Sequence, residues 1–144
     1  MKHIHTVFGI TLLFSLFLLA INAWGEPYIS FYSNRTGNRD IYIIDTNGEN
    51  LRNLTNHPAS DCCATWAPDG RSFAFMSRRD GKGNIYIMKV GETEARRLTN
   101  HPEQDSAPAW SPDGKWIAFQ SNRTGKSQIY KIDINGKNLS LIHI

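Results

Sequence analysis

The sequence predicts an all-β chain of β-propeller type, built from four-stranded antiparallel blades, and three observations predict it. Trp66 and Trp110, Gly70 and Gly114, Phe75 and Phe119, and Tyr86 and Tyr130 each stand 44 residues apart, and Ser33, Ser77 and Ser121 carry that step through a third copy. Within each copy, short apolar or alternating runs are separated by residues that favour turns, the pattern of antiparallel strands. Beyond the N-terminal segment nothing keeps a helical period long enough to compete.

Residues 1–25 stand outside this pattern. Lys2 precedes an apolar run from Val7 to Ile21, and Ala23-Trp24-Gly25 supplies small residues of the kind a signal peptidase reads. The run is shorter than the roughly 20 residues needed to span hydrocarbon, so a cleaved secretory leader is expected rather than an anchor, with no stable membrane span after cleavage. The expected location is periplasmic or secreted. The leader holds one of the 16 basic residues and none of the 13 acidic ones, which leaves 15 against 13. That near-neutral balance, with basic pairs only at Arg78-Arg79 and Arg96-Arg97, is no nucleic-acid footprint, and the pairs read as solvated turn and strand edge.

The first copy opens with a strand at Tyr28 to Ser33, turns through Asn34 to Asn38, and continues as Ile41 to Asp45. Asn47-Gly48 is a strong hairpin signal and leads into Asn50 to Thr55. The second copy is complete, with strands at Ala64 to Ala67, Ser72 to Ser77, Asn84 to Lys89 and Ala95 to Thr99. The third runs through Ala107 to Trp110, Lys115 to Ser121, Gln128 to Asp133 and Asn138 onward. In the turns Pro68-Asp69-Gly70 and Pro112-Asp113-Gly114, proline presets φ, aspartate suits the next position, and glycine takes the left-handed conformation that closes the hairpin with a bulge. Trp66 and Trp110, just before these turns, are expected to be packing anchors.

The second strand of a unit sets Phe73 and Phe75 on one face against Ala74 on the other, repeated as Ile117 and Phe119 against Ala118, and Ile85 to Met88 is apolar on both faces. A single sheet cannot bury both faces. Successive sheets must therefore stack face to face, large residues against small, and a radial stack is a propeller with one blade per repeat. The expected division is a leader over 1–25, a partial blade over 26–60, a full blade over 61–104 and a C-terminally truncated blade over 105–144. That is about two and a half blades, where propellers close with roughly four to eight, so the chain reads as a fragment of a longer propeller. Residues 139–144 also match one frame of a common transposon-library adapter and are expected to derive from it.

The string Leu98-Thr99-Asn100-His101-Pro102, Asp105, Pro108 to Lys115, Ile117-Ala118-Phe119, Ser121-Asn122-Arg123 and Ile129-Tyr130 resembles the WD-like propeller repeat of the TolB family, the periplasmic component of the Tol-Pal system. The resemblance covers residues 28–139. It implies an exported, non-enzymatic propeller that binds proteins in envelope integrity or transport, with a Pal-like lipoprotein as partner.

No G-x-S-x-G elbow, H-E-x-x-H helix or phosphate-binding glycine loop occurs. The most suggestive polar residues are the repeated His57 and Asp61, His101 and Asp105, in the loop between blades where the chain would pass near a central channel. Carboxylate and imidazole suit a divalent cation. An aspartate ahead of a strand also serves loop backbone, and that structural role is the expected one, so no metal or cofactor is assigned. The two cysteines, Cys62 and Cys63, are neighbours; on an extended chain their Cβ vectors point apart, and they align with Ser106 and Ala107 as small half-buried residues. The other reading is the propeller portion of a secreted enzyme, a prolyl-oligopeptidase-like peptidase or a metal-dependent lyase.

Overall fold

In the computed structural model, residues 19–21 and 27–143 are described, and every regular element among them is a strand. The expected leader lies outside these residues apart from Leu19–Ile21. Three four-stranded antiparallel sheets follow one another along the chain. The first is β1 (Leu19–Ile21), β2 (Pro27–Ser33), β3 (Asp40–Asp45) and β4 (Arg52–Asn53). The second is β5 (Asp61–Trp66), β6 (Ser72–Ser77), β7 (Asn84–Lys89) and β8 (Arg96–Arg97). The third is β9 (Asp105–Trp110), β10 (Trp116–Ser121), β11 (Gln128–Asp133) and β12 (Ser140–Leu141). Each is a simple meander, with strands hydrogen-bonded in chain order.

Some element limits differ from the sequence reading. The first strands of the second and third sheets begin three and two residues earlier than the spacing suggests, because Asp61 and Cys62 pair with Ser77 and Met76, and Asp105 and Ser106 with Ser121 and Gln120, ahead of a bulge in each strand. The fourth strands are two-residue stubs, since polar residues crowd that edge and the outer ladder is short. The first sheet gains a strand from within the expected leader: Leu19–Ile21 pairs with Pro27–Ile29 and covers an edge of β2 that would otherwise hold unpaired backbone groups. Ser140–Leu141 stands where Arg96–Arg97 stands one repeat earlier.

The sheets stack through two apolar layers. Phe73, Phe75, Tyr86 and Met88 of the middle sheet face Ile41 and Ile43 of the first, with Trp66 closing the layer. On the other side, Ala74, Met76 and Ile85 face Ile117, Phe119, Tyr130 and Ile132 of the third. The alternation of large and small along Phe73-Ala74-Phe75 therefore divides one strand between two neighbours. Full burial of each large side chain contributes on the order of 1.5–3 kcal/mol, so both layers hold the stack together. Gly70 and Gly114 have φ of +65° and +70°, and their amides close turns onto Ala67 O and Ser111 O at 2.9 Å. Asp69 Oδ1 accepts from the Arg71 amide at 2.9 Å and Asp113 Oδ1 from the Lys115 amide at 3.0 Å, so Pro-Asp-Gly acts as a unit in both turns. Pro68 and Pro112 are exposed at the first central position of these turns.

Candidate functional site

The loop that leaves one blade and enters the next carries the residues that the sequence singles out. At its start, Thr55 Oγ1 accepts from the Ile41 amide at 3.0 Å, and the His57 amide donates to Asp40 Oδ1 at 3.2 Å. One repeat later, Thr99 Oγ1 accepts from the Ile85 amide at 2.9 Å, and the His101 amide donates to Asn84 Oδ1 at 3.2 Å. Each imidazole turns its Nδ1 inward onto the loop: His57 accepts from the Ala59 amide at 3.0 Å and His101 from the Glu103 amide at 3.1 Å. The two histidines therefore fold the loop back on itself.

Asp61 and Asp105 begin the next strand and are fully buried. The ion-pair partner of each carboxylate is an arginine. Arg79 Nη2 donates to Asp61 Oδ2 at 2.9 Å, and Arg123 Nη2 lies 3.1 Å from both oxygens of Asp105. The same arginines donate from Nε to Ser77 Oγ at 2.8 Å and Ser121 Oγ at 2.9 Å. Their guanidinium planes cover aromatic rings, Arg79 over Tyr86 at 4.8 Å and Arg123 over Tyr130 at 4.6 Å. The planar fork suits a carboxylate, a hydroxyl and a ring face at once, which an ammonium would not. Burial pushes the Asp61 carboxyl above its ordinary value, while Ser77 and Arg79 pull against that rise.

The Arg78-Arg79 pair was expected to be solvated. Arg78 is exposed, but Arg79 is half-buried and drawn inward, where its guanidinium pairs with the fully buried Asp61 carboxylate. The signal was present in the period: Arg35, Arg79 and Arg123 recur at 44 residues, in phase with Ser33, Ser77 and Ser121. In the first sheet Arg35 keeps the stack, 4.7 Å from Tyr42, and its Nε lies 3.3 Å from Ser33 Oγ. The position one repeat before Asp61 is Phe17, and among the described residues Arg35 has no ion pair.

Trp66 is buried between the first and second sheets, whereas Trp110 is half-buried beside the second. Cys62 and Cys63 depart from the expectation that adjacent thiols diverge: their sulfurs lie 3.0 Å apart. The bulge between Cys62 and Thr65 puts Cys63 at φ +60°, and Ala107, at φ +49°, repeats it in the third sheet. The described residues contain no group of three or more His, Cys, Asp or Glu able to surround a metal ion. No helix long and apolar enough to cross a membrane occurs among the described residues.

A family model described as the TolB beta propeller domain matches residues 26–90 and again 74–144. The chain belongs to the TolB β-propeller domain family. A TolB homolog of Chlorobaculum tepidum is 44% identical over 46 residues, which are 32% of this chain and 11% of that protein. A structure assigned as TolB of Agrobacterium tumefaciens superposes with a TM-score of 0.75 at 31% identity, over 86% of this chain and 44% of that one. This TolB-type chain thus spans less than half the length of either relative. A puromycin-hydrolyzing peptidase of Mycobacterium tuberculosis shares the blade arrangement at 16% identity, with a TM-score of 0.67 over 88% of this chain and 21% of that one, a likeness of fold alone. In the second and third sheets, Arg79 and Arg123 tie the first strand, through Asp61 and Asp105, to the end of the second strand, through Ser77 and Ser121.

Proposed function

We propose that this chain is part of an exported, non-enzymatic propeller that binds other proteins, in a Tol-Pal-type role in envelope integrity or transport. The observation that carries the reading is the TolB propeller match over both halves of the described chain. The engagement of Asp61, Asp105, His57 and His101 in framework bonds is in keeping with it, because those groups are already committed to holding loops. Binding would then use exposed loop residues, which vary without disturbing the blades. A Pal-like lipoprotein from the same envelope is the partner of first choice, and the working location is the periplasm.

Calorimetric titration of the protein, recovered from its native locus, with the purified soluble domain of that lipoprotein tests the reading. Saturable one-to-one binding is the expected result. No binding, together with turnover of a peptide or oligogalacturonate substrate, would replace it with the propeller portion of a secreted peptidase or lyase.

A further inference from the structure

The two cysteines occupy a position that the framework does not need them to fill. In the third sheet the same bulge is made by Ser106 and Ala107 with the same left-handed backbone, so the repeat sets the bulge and the thiols are placed by it. In a regular strand, neighbours project to opposite faces. Here the left-handed turn at Cys63 brings its sulfur to 3.0 Å from that of Cys62. Cys62 is buried in the layer between the second and third sheets, and Cys63 is an exposed residue.

The electrostatics divide the pair further. A hydrogen bond from the Cys62 thiol holds Cys63 down to about 7 against the opposing effect of burial, with Arg39 adding a cationic field. The same hydrogen bond, and burial after it, push Cys62 up. An attacking thiol is most effective when its pKa lies near the ambient pH, because thiolate fraction and nucleophilicity are then balanced.

We propose that Cys62 and Cys63 form a redox-active vicinal dithiol, in which Cys63 exchanges with small-molecule disulfides and Cys62 resolves the product. The Cys63 thiolate attacks one sulfur of the oxidant, forming a mixed disulfide and releasing one thiolate. Cys62 then loses its proton to solvent and attacks the Cys63 sulfur, displacing the second thiolate and closing a Cys62–Cys63 bond. Two thiols are oxidised by two electrons, one oxidant disulfide is reduced to two thiols, and the two protons end on those products or in solvent. Adjacent residues hold their Cα atoms about 3.8 Å apart, closer than disulfides usually adopt. The bond is therefore strained and readily reduced, which makes it a reversible modification rather than a structural staple. This inference is independent of the partner proposed above.

Glutathione disulfide is the probe, and intact-mass measurement with maleimide counting is the readout on the full chain. Wild type is expected to lose two hydrogens, to carry no lasting glutathione adduct, and to lose both maleimide-reactive thiols until dithiothreitol restores them. Cys62→Ser should retain glutathione on Cys63, and Cys63→Ala should react roughly tenfold or more slowly, because only the buried thiol remains. These substitutions install the residues that the third sheet already uses at the same bulge. Three results in wild type alone would overturn the proposal: both thiols still open to maleimide, a stable Cys63–glutathione adduct, or a disulfide that links two chains.

Discussion

The indole N–H of Trp66 donates to Ser30 Oγ at 2.9 Å, tying the second sheet to the first. The corresponding pair one repeat later is Trp110 and Ala74. Alanine has no hydroxyl, and the Trp110 indole nitrogen is buried without a hydrogen-bond partner. Ala74 itself is fully buried in that layer. Ala74→Ser should supply the missing acceptor and stabilise the protein by about 1 kcal/mol in urea denaturation, whereas Ser30→Ala should cost about 1–2 kcal/mol. Destabilisation by Ala74→Ser would show that the serine hydroxyl does not reach the indole.

The repeated arginines are not equivalent, and the difference can be measured. Arg79→Met leaves the fully buried Asp61 without its cation, a loss expected to cost about 3–5 kcal/mol. Arg35→Met removes an exposed guanidinium that stacks on Tyr42 and Phe31 with no carboxylate bound among the described residues. Its expected cost is about 1 kcal/mol or less. Parallel denaturation curves check the ranking, and equal losses would argue against a buried-carboxylate role for Arg79.

Acid should act on the aspartates in opposite directions. Burial raises the folded pKa of Asp61 above its unfolded value, so the native state takes up that proton first and stability from this group rises as pH falls through the folded pKa toward the unfolded one. Asp113 is held below the ordinary value by the Ser111 hydroxyl and then the Lys115 amide, and Asp133 by the Lys137 amide and then Asn138. Their contributions are present above the unfolded pKa and are lost as pH falls through the folded values. Carbon-13 titration of these three carboxyls should show Asp61 protonating before Asp113 and Asp133 as pH falls. Asp61→Asn should remove the acid-side gain.

At Gly114 the backbone rather than space is limiting. A Cβ there would meet Pro68 Cδ at an ordinary 3.7 Å, but φ is +70°. Gly114→Val should therefore destabilise by about 1–2 kcal/mol or more through left-handed strain alone, while Gly114→Asn should cost less. A thermal-melt comparison of the two variants separates strain from crowding, since a clash would penalise both.

Much of this architecture is legible in the sequence, because period, turn and alternation act together. Phe73-Ala74-Phe75 specifies which side of the middle sheet meets which neighbour, and Pro112-Asp113-Gly114 specifies where the chain reverses. The Asp-Arg clamp is less legible. Asp61 and Arg79 are 18 residues apart in sequence, and only the threefold recurrence of Arg35, Arg79 and Arg123 beside a serine marks them. The meeting of Cys62 and Cys63 was hidden because alternation along a strand presumes regular backbone, and the bulge breaks that regularity. β1 was missed for a different reason: Leu19–Ile21 reads by composition as leader, and its pairing with β2 depends on an open edge that local pattern does not reveal.

The central claim is that each 44-residue repeat is one sheet, and that the middle sheet is stacked between its two neighbours through opposite faces of the same strand. Methyl and aromatic nuclear Overhauser contacts in an isotopically labelled sample test it most directly. The account predicts that Phe73 and Phe75 ring protons contact Ile41 and Ile43, and that Ala74 and Met76 methyls contact Ile117 and Phe119. Contacts from Phe73 and Ala74 to the same neighbouring sheet would contradict it.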